Sequence, residues 1–230
     1  MLSLTALRAC LLSLGIALLA GCGSLPSLSS TKPAATPPAP APAPAPVAVR
    51  KPKIGLALGG GAARGFAHIG VIKMLESQGI VPDYVVGTSA GAVVGSLYAG
   101  GNDAFAMQKI AVQLDEKIFA DWTLGGRGLL KGEALQDFIN QHLNKRPLEK
   151  LNKPFATVAT DLNSGERVVF RNGDTGMAVR ASAAVPGVFQ PTQFRGRSYV
   201  DGGLTSPVPV QAARDMGADF VIAVDISDRP

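Results

Sequence analysis

Tyr84-Val85-Val86-Gly87-Thr88-Ser89-Ala90-Gly91-Ala92-Val93-Val94-Gly95 is the stretch on which the fold turns. Its first three residues suit a buried strand, and from Ala90 to Tyr98 small residues suit a close-packed helix. Between them Gly87-Thr88-Ser89-Ala90-Gly91 matches Gly-x-Ser-x-Gly. A strand that becomes a helix at once needs a tight turn, with glycine where side chains would collide. Such a turn lifts its serine above the sheet edge. The helix N-terminus then aims unpaired N–H groups and a partial positive charge at that serine. Two readings fit the residues alone: a nucleophile elbow, or a glycine-rich turn whose serine caps a helix.

Working outward, residues 53–230 alternate between strand and helix patterns. Strands are expected at Ile54–Leu58, Tyr84–Val86, Phe155–Ala159, Arg167–Phe170 and Phe220–Val224. Helices are expected at Phe66–Gln78, Ala90–Tyr98, Ala104–Leu114, Glu133–Leu143 and Pro209–Met216. Apolar strands alternating with helices argue for an α/β fold whose parallel sheet is covered on both faces. Gly-rich turns follow the first two strands, where such folds bind ligands.

The first of these turns is Leu58-Gly59-Gly60-Gly61-Ala62-Ala63-Arg64-Gly65. A dinucleotide fingerprint starting at Gly59 needs glycine at position 64, where Arg64 stands. A P-loop needs lysine after Gly65, where Phe66 stands. The loop therefore reads better as an oxyanion hole, its backbone N–H groups exposed by side-chain-free residues. Arg64 either locks the loop or helps hold an anionic group.

The usual hydrolase order of Ser, Asp or Glu, then His is not available. Only His142 follows Ser89, within a predicted helix, while His68 precedes it. Both histidines read as surface or packing residues, so the base is expected not to be histidine. With two histidines and no cysteine after Cys22, a structural zinc site is not expected.

These pieces, with Asp201-Gly202-Gly203 after Tyr199-Val200, resemble the bacterial branch of the patatin-like phospholipases. The resemblance covers essentially Lys53–Asp228. It runs through Gly60–Gly65, Ala67–Gly70, the Ser89 elbow and Thr160-Asp161-Leu162. It continues through Arg180–Gly187 and Asp201 to Gly217-Ala218-Asp219. It implies a three-layer α/β/α fold with a mainly parallel central sheet and a Ser–Asp dyad, with Ser89 as nucleophile and Asp201 as its partner. It also implies an oxyanion loop at Gly60, Gly61 and Ala62 with Arg64 beside it, and no cofactor or metal. Plant members often carry glycine where Ala62 stands. Asp161 and Ser182 are expected to make structural hydrogen bonds near the pocket. The substrate class implied is the fatty-acyl ester of a membrane phospholipid or lysophospholipid. A broad esterase, thioesterase or acyltransferase shares the same residues, and a non-catalytic envelope lipid-binding protein is the reading from another class.

The first fifty residues differ in kind from the rest. Arg8 precedes a twelve-residue, mostly apolar stretch, Ala9–Ala20, too short to span a bilayer, which takes about 20 residues. It ends in Leu19-Ala20-Gly21-Cys22, which resembles a bacterial lipobox with Cys22 as the lipidated residue. Residues 1–21 are thus expected to be a lipoprotein signal peptide. Gly23 in place of aspartate implies sorting to the outer membrane, facing the periplasm. Nine of the 17 prolines lie between Pro26 and Pro52, with an Ala-Pro repeat over Ala39–Pro46. Each proline removes an N–H and restricts its predecessor, so 22–52 is expected to be an extended tether advancing about 3.1 Å per residue. The catalytic domain is expected at 53–230, somewhat short for its family. The net charge of +5 comes from 22 Lys and Arg against 17 Asp and Glu, without the clustering that nucleic acid would require. Protein partners are not indicated.

Overall fold

The computed structural model describes residues 50–118 and 130–227. The expected signal peptide, Cys22 and nearly all of the tether lie outside the described residues.

Parallel strands β1 (Ile54–Leu58), β2 (Tyr84–Thr88), β3 (Phe155–Asp161) and β7 (Phe220–Val224) form the body of a seven-stranded sheet. β1 lies between β2 and β7, and β3 follows β2. Three further strands make antiparallel pairs: β4 (Arg167–Phe170) and β6 (Arg197–Asp201) each pair with β3, and β5 (Thr192–Phe194) pairs with β6.

Side chains alternate across the pleat, and the two faces carry different volumes. Leu56, Leu58, Val85 and Phe155 point into one core with α1 (Phe66–Ser77), α2 (Ala90–Ala99), α3 (Ala104–Ile118), α4 (Glu133–His142) and α5 (Thr175–Ser182). Ala57, Val86, Ala156 and Val158 face Ala212 and Ala213 of α6 (Val210–Asp215). Small residues let α6 lie close: a Cβ on Gly55 would come within 3.2 Å of the Ala213 methyl. The result is the three-layer α/β/α arrangement with a mainly parallel sheet.

Every predicted strand and helix forms, with ends shifted by a few residues at most. α5, β5 and β6 were not foreseen. α5 is packed on nearly all sides, so it has no polar face to reveal its period. Its start is marked only by Asp174, whose side chain accepts the Met177 N–H. β5 and β6 are joined by Arg195 and Gly196, both at positive φ, a two-residue hairpin turn.

The pairing register decides where the site lies. Thr157 and Val158 of β3 pair with both β2 and β4, so those two strands occupy opposite edges of β3. Ala159 and Thr160 pair with both β4 and β6. β6 therefore shares an edge of β3 with β2, beginning where β2 stops. Thr88 is level with Val158, and Asp201 with Ala159. Ser89 and Asp201 thus arrive at the same point from opposite directions.

Candidate active site

Ser89 takes φ 54° and ψ −120° at the junction of β2 and α2. A non-glycine residue there is strained, and such strain gathers at sites whose surroundings over-determine it. The surroundings are very close. A Cβ on Gly87 would sit 2.3 Å from the Gly91 carbonyl oxygen, and one on Gly91 would sit 2.1 Å from that of Leu58. Glycine at both positions is required by contact, and Ser89, at the N-cap position of α2, makes no side-chain cap bond. Its own N–H donates to Ser182 Oγ at 2.9 Å, and Ser182 Oγ donates to the Val158 carbonyl. Ser182 thereby ties the elbow to β3. Thr88 Oγ1 adds a bond to the Ser206 carbonyl at 2.9 Å.

The glycine loop wraps over this turn. The Gly59 N–H donates to Val224 O and the Gly60 N–H to Pro207 O, each at 2.9 Å. Gly60 is thus committed to holding the loop, and its N–H cannot face a ligand. Its lack of a side chain still matters, since a Cβ there would lie 3.3 Å from that of Ser89. Arg64 uses its N–H on Gly61 O, closing the short 3-10 turn Ala62–Gly65. Among the described residues, the N–H groups of Gly61 and Ala62 carry no hydrogen bond. Ala62 sits at φ 49°, a backbone geometry that glycine adopts without strain. The Ala90 N–H, first in α2, is a third free donor beside Ser89.

His68 is fully buried and donates Nε2–H to the Gly59 carbonyl at 2.7 Å. Burial lowers its pKa, with the Gly59 bond opposing, so the neutral ring latches the loop. His142 donates Nδ1–H to Phe138 O at 2.9 Å and packs on the Phe138 ring. Both are packing residues, as the sequence suggested.

Asp201 is 7% exposed and Ser89 is 8% exposed. The Asp201 main chain is fixed by its N–H on Ala184 O and by Thr160 Oγ1 on its own carbonyl, both at 2.9 Å. Carboxyl Oδ1 accepts the Gly203 N–H at 2.6 Å, while Oδ2 has no complete hydrogen bond. Burial pushes this carboxyl above the usual range, and the Ser89 hydroxyl and Gly203 N–H pull the other way. A carboxyl so placed beside a serine hydroxyl is fitted to take its proton. Gly202 allows the close approach: a Cβ there would lie 2.1 Å from Val158 O.

Ser89 opens into a cavity of about 340 Å³ between α1, α2, α3 and α4, in which it is the only hydroxyl-bearing residue among the described residues. Val93, Val94, Leu97 and Met107 line it, and Phe66, Val185 and Val188 lie exposed at its rim. These lining residues were missed in the sequence, although Ala90, Val93, Val94 and Leu97 follow the helical spacing from Ser89. Asp161 lies at the far end of β3. It accepts the N–H groups of Asn163 and Ser164 and meets Arg197, and it does not join the site. Among the described residues, no group of side chains could hold a metal ion.

Comparison with known proteins identifies the family. Residues 56–214 match the sequence model of the family described as Patatin-like phospholipase. An uncharacterised NTE family protein of Mycobacterium tuberculosis is 39% identical over 178 residues, covering 76% of this chain and 49% of the relative. Human patatin-like phospholipase domain-containing protein 6 is 34% identical over 184 residues, covering 76% of this chain and 13% of that protein. The chain thus spans about half the length of the mycobacterial relative and far less of the human one. The solved structure of VipD from Legionella pneumophila shares the fold, with a TM-score of 0.53 at 17% identity over 67% of this chain and 46% of that one. With the family match covering well over half its length, this chain belongs to the patatin-like phospholipase family.

Proposed function

We propose that the protein is a serine acyl-hydrolase of the phospholipase A or lysophospholipase type, working through a Ser89–Asp201 dyad. The observation that carries this reading is the meeting of a strained Ser89 with a buried, under-bonded Asp201 carboxyl at the mouth of an apolar cavity. Ser89 Oγ attacks the ester carbonyl as Asp201 takes its proton, and the carbonyl oxygen becomes an oxyanion. The free N–H groups of Gly61, Ala62 and Ala90 receive that charge. A single such donor is worth roughly 10²–10³ in rate. Collapse releases the alcohol with the proton from Asp201 and leaves an acyl-enzyme on Ser89. Water, activated by Asp201, then frees the fatty acid.

Cys22 is proposed as the lipid attachment site, with the Pro/Ala-rich segment 22–52 as tether and 53–230 as the catalytic domain, held at the periplasmic face of an outer membrane. Two or more acyl chains anchor stably where one does not, and tethering raises the local concentration of lipid substrate. Replacing Cys22 with alanine should leave an unprocessed precursor without lipid label, while unchanged processing removes the anchor from the proposal.

The test of the activity is a fluorophosphonate probe together with mass spectrometry of vesicles that carry decanoyl as well as palmitoyl phospholipids. Wild type is expected to be labelled and to release fatty acid, and Ser89→Ala to do neither. Turnover of simple esters without fatty acid from vesicles would replace the phospholipase reading with a broad esterase. If neither protein is labelled or active, the site is a lipid-binding one.

A further inference from the structure

The cavity beside Ser89 has a closed far end, and we infer that Leu97 and Met107 form a floor that limits the bound acyl chain to about ten carbons. The inference rests on the acyl-hydrolase reading and deepens it by naming the acid preferred.

Helix α2 begins at the nucleophile and leads away from it, and Ala90, Val93, Val94 and Leu97 form one stripe along the cavity wall. At 1.5 Å per residue, Leu97 lies about 12 Å further along the helix axis than Ser89. After Gly100–Asp103, α3 starts beside the C-terminal end of α1, where the Ala104 N–H donates to the Glu76 carboxylate at 3.2 Å, and its Met107, Ile110 and Ala111 line the same cavity as the α2 stripe. Leu97 is 4% exposed and Met107, in the first turn of α3, 1%, so this end is shut from solvent.

An extended alkyl chain advances a little less than its C–C bond of about 1.5 Å per carbon. The 12 Å path thus holds about nine or ten carbons. The volume of about 340 Å³ is near the lower end of ligand pockets. Among the described residues no polar side chain stands at the floor, so the group expected there is a terminal methyl.

The experiment is the turnover of p-nitrophenyl esters from butyrate to palmitate. For wild type, kcat/KM is expected to rise about fourfold per added methylene and to turn over near octanoate or decanoate. The ratio of palmitate to octanoate turnover cancels differences in the amount of folded protein. It should rise at least tenfold in Met107→Ala and fall in Leu97→Phe. Leu97→Val serves as a milder lengthening variant should Met107→Ala fail to fold. A wild-type profile that climbs to palmitate, or ratios identical in wild type and variants, overturns the floor. If no ester is turned over, the hydrolase reading falls, and the floor is then judged by binding. Decanoate should raise the melting temperature of wild type more than palmitate does, with the order reversed in the lengthening variant. Equal shifts overturn it.

Discussion

Asp161 and Asp201 close two neighbouring strands, β3 and β6, and both are nearly sealed from water at 3% and 7% exposure. Their carboxyls nonetheless move in opposite directions. The N–H groups of Ser164 and Asn163, with Arg197 further out, hold Asp161 below the usual carboxylate range. Burial pushes Asp201 above it, because only Gly203 and the Ser89 hydroxyl offset the loss of water. Low exposure does not by itself make a base, because Asp161 lies just beneath a surface turn whereas Asp201 lies deep. Asp201 combines burial with withheld donors, one of its oxygens being left without a complete bond, and the proposed role as base depends on that combination.

The strongest way to break this comparison is to neutralise each carboxylate in turn. Asp201→Asn should lower kcat by about 10²–10⁴-fold, whereas Asp161→Asn should stay within about threefold by the same standard for a group outside the reaction. Equal losses in steady-state assays would show that the two sites differ in structure but not in role. A second change leaves both carboxylates in place and moves the serine instead. Ser182→Ala removes the acceptor of the Ser89 N–H, and kcat should fall by about 10–100-fold while KM changes little. An unchanged kcat would mean that the glycines alone hold the elbow.

The smallest effects are those on stability, and their signs differ. Asp201 has a folded pKa above its unfolded value, so its stabilising contribution is present at low pH and lost as pH rises through the folded pKa. Asp201→Asn should therefore be more stable than wild type at pH 8, the advantage fading toward pH values below about 3.9. Asp161 has the opposite sign: its contribution is present above the unfolded pKa and lost as pH falls through the folded one. Asp161→Asn should be less stable than wild type at neutral pH. Urea midpoints at pH 8, 6 and 4 would check both signs. The acid limb of kcat/KM in wild type should likewise lie above the ordinary aspartate range.

The elbow was legible because its requirements are local. A strand, two glycines, a serine and a helix follow one another, and each has a pattern of its own. Asp201 was legible only through family resemblance, since an Asp-Gly-Gly after a few apolar residues also fits an ordinary turn. Its meeting with Ser89 depends on β6 taking over the β3 edge where β2 ends, a long-range register that no periodicity encodes. Gly60 shows the same limit. As a glycine beside the elbow it looked like an oxyanion donor, and only the Pro207 carbonyl 147 positions later reveals that its N–H is occupied. The cavity walls were half-legible: the α2 stripe can be read from spacing, but its partner Met107 requires knowing where α3 packs.

The junction between Arg50 and the sheet also has a mechanical meaning. Arg50 forms two hydrogen bonds to the Asp219 carboxylate, at 2.6 and 2.8 Å, and Lys53 reaches Asp83 at 2.8 Å, just before β1 enters the sheet. β1 is flanked by parallel β2 and β7. A pull on the chain at Arg50, directed along β1, therefore loads two hydrogen-bonded ladders in shear, and their bonds must yield together rather than one at a time. Resistance to such a pull is set by the unfolding rate rather than by equilibrium stability. The sheet that presents Ser89 is thus entered through a strand held on both edges.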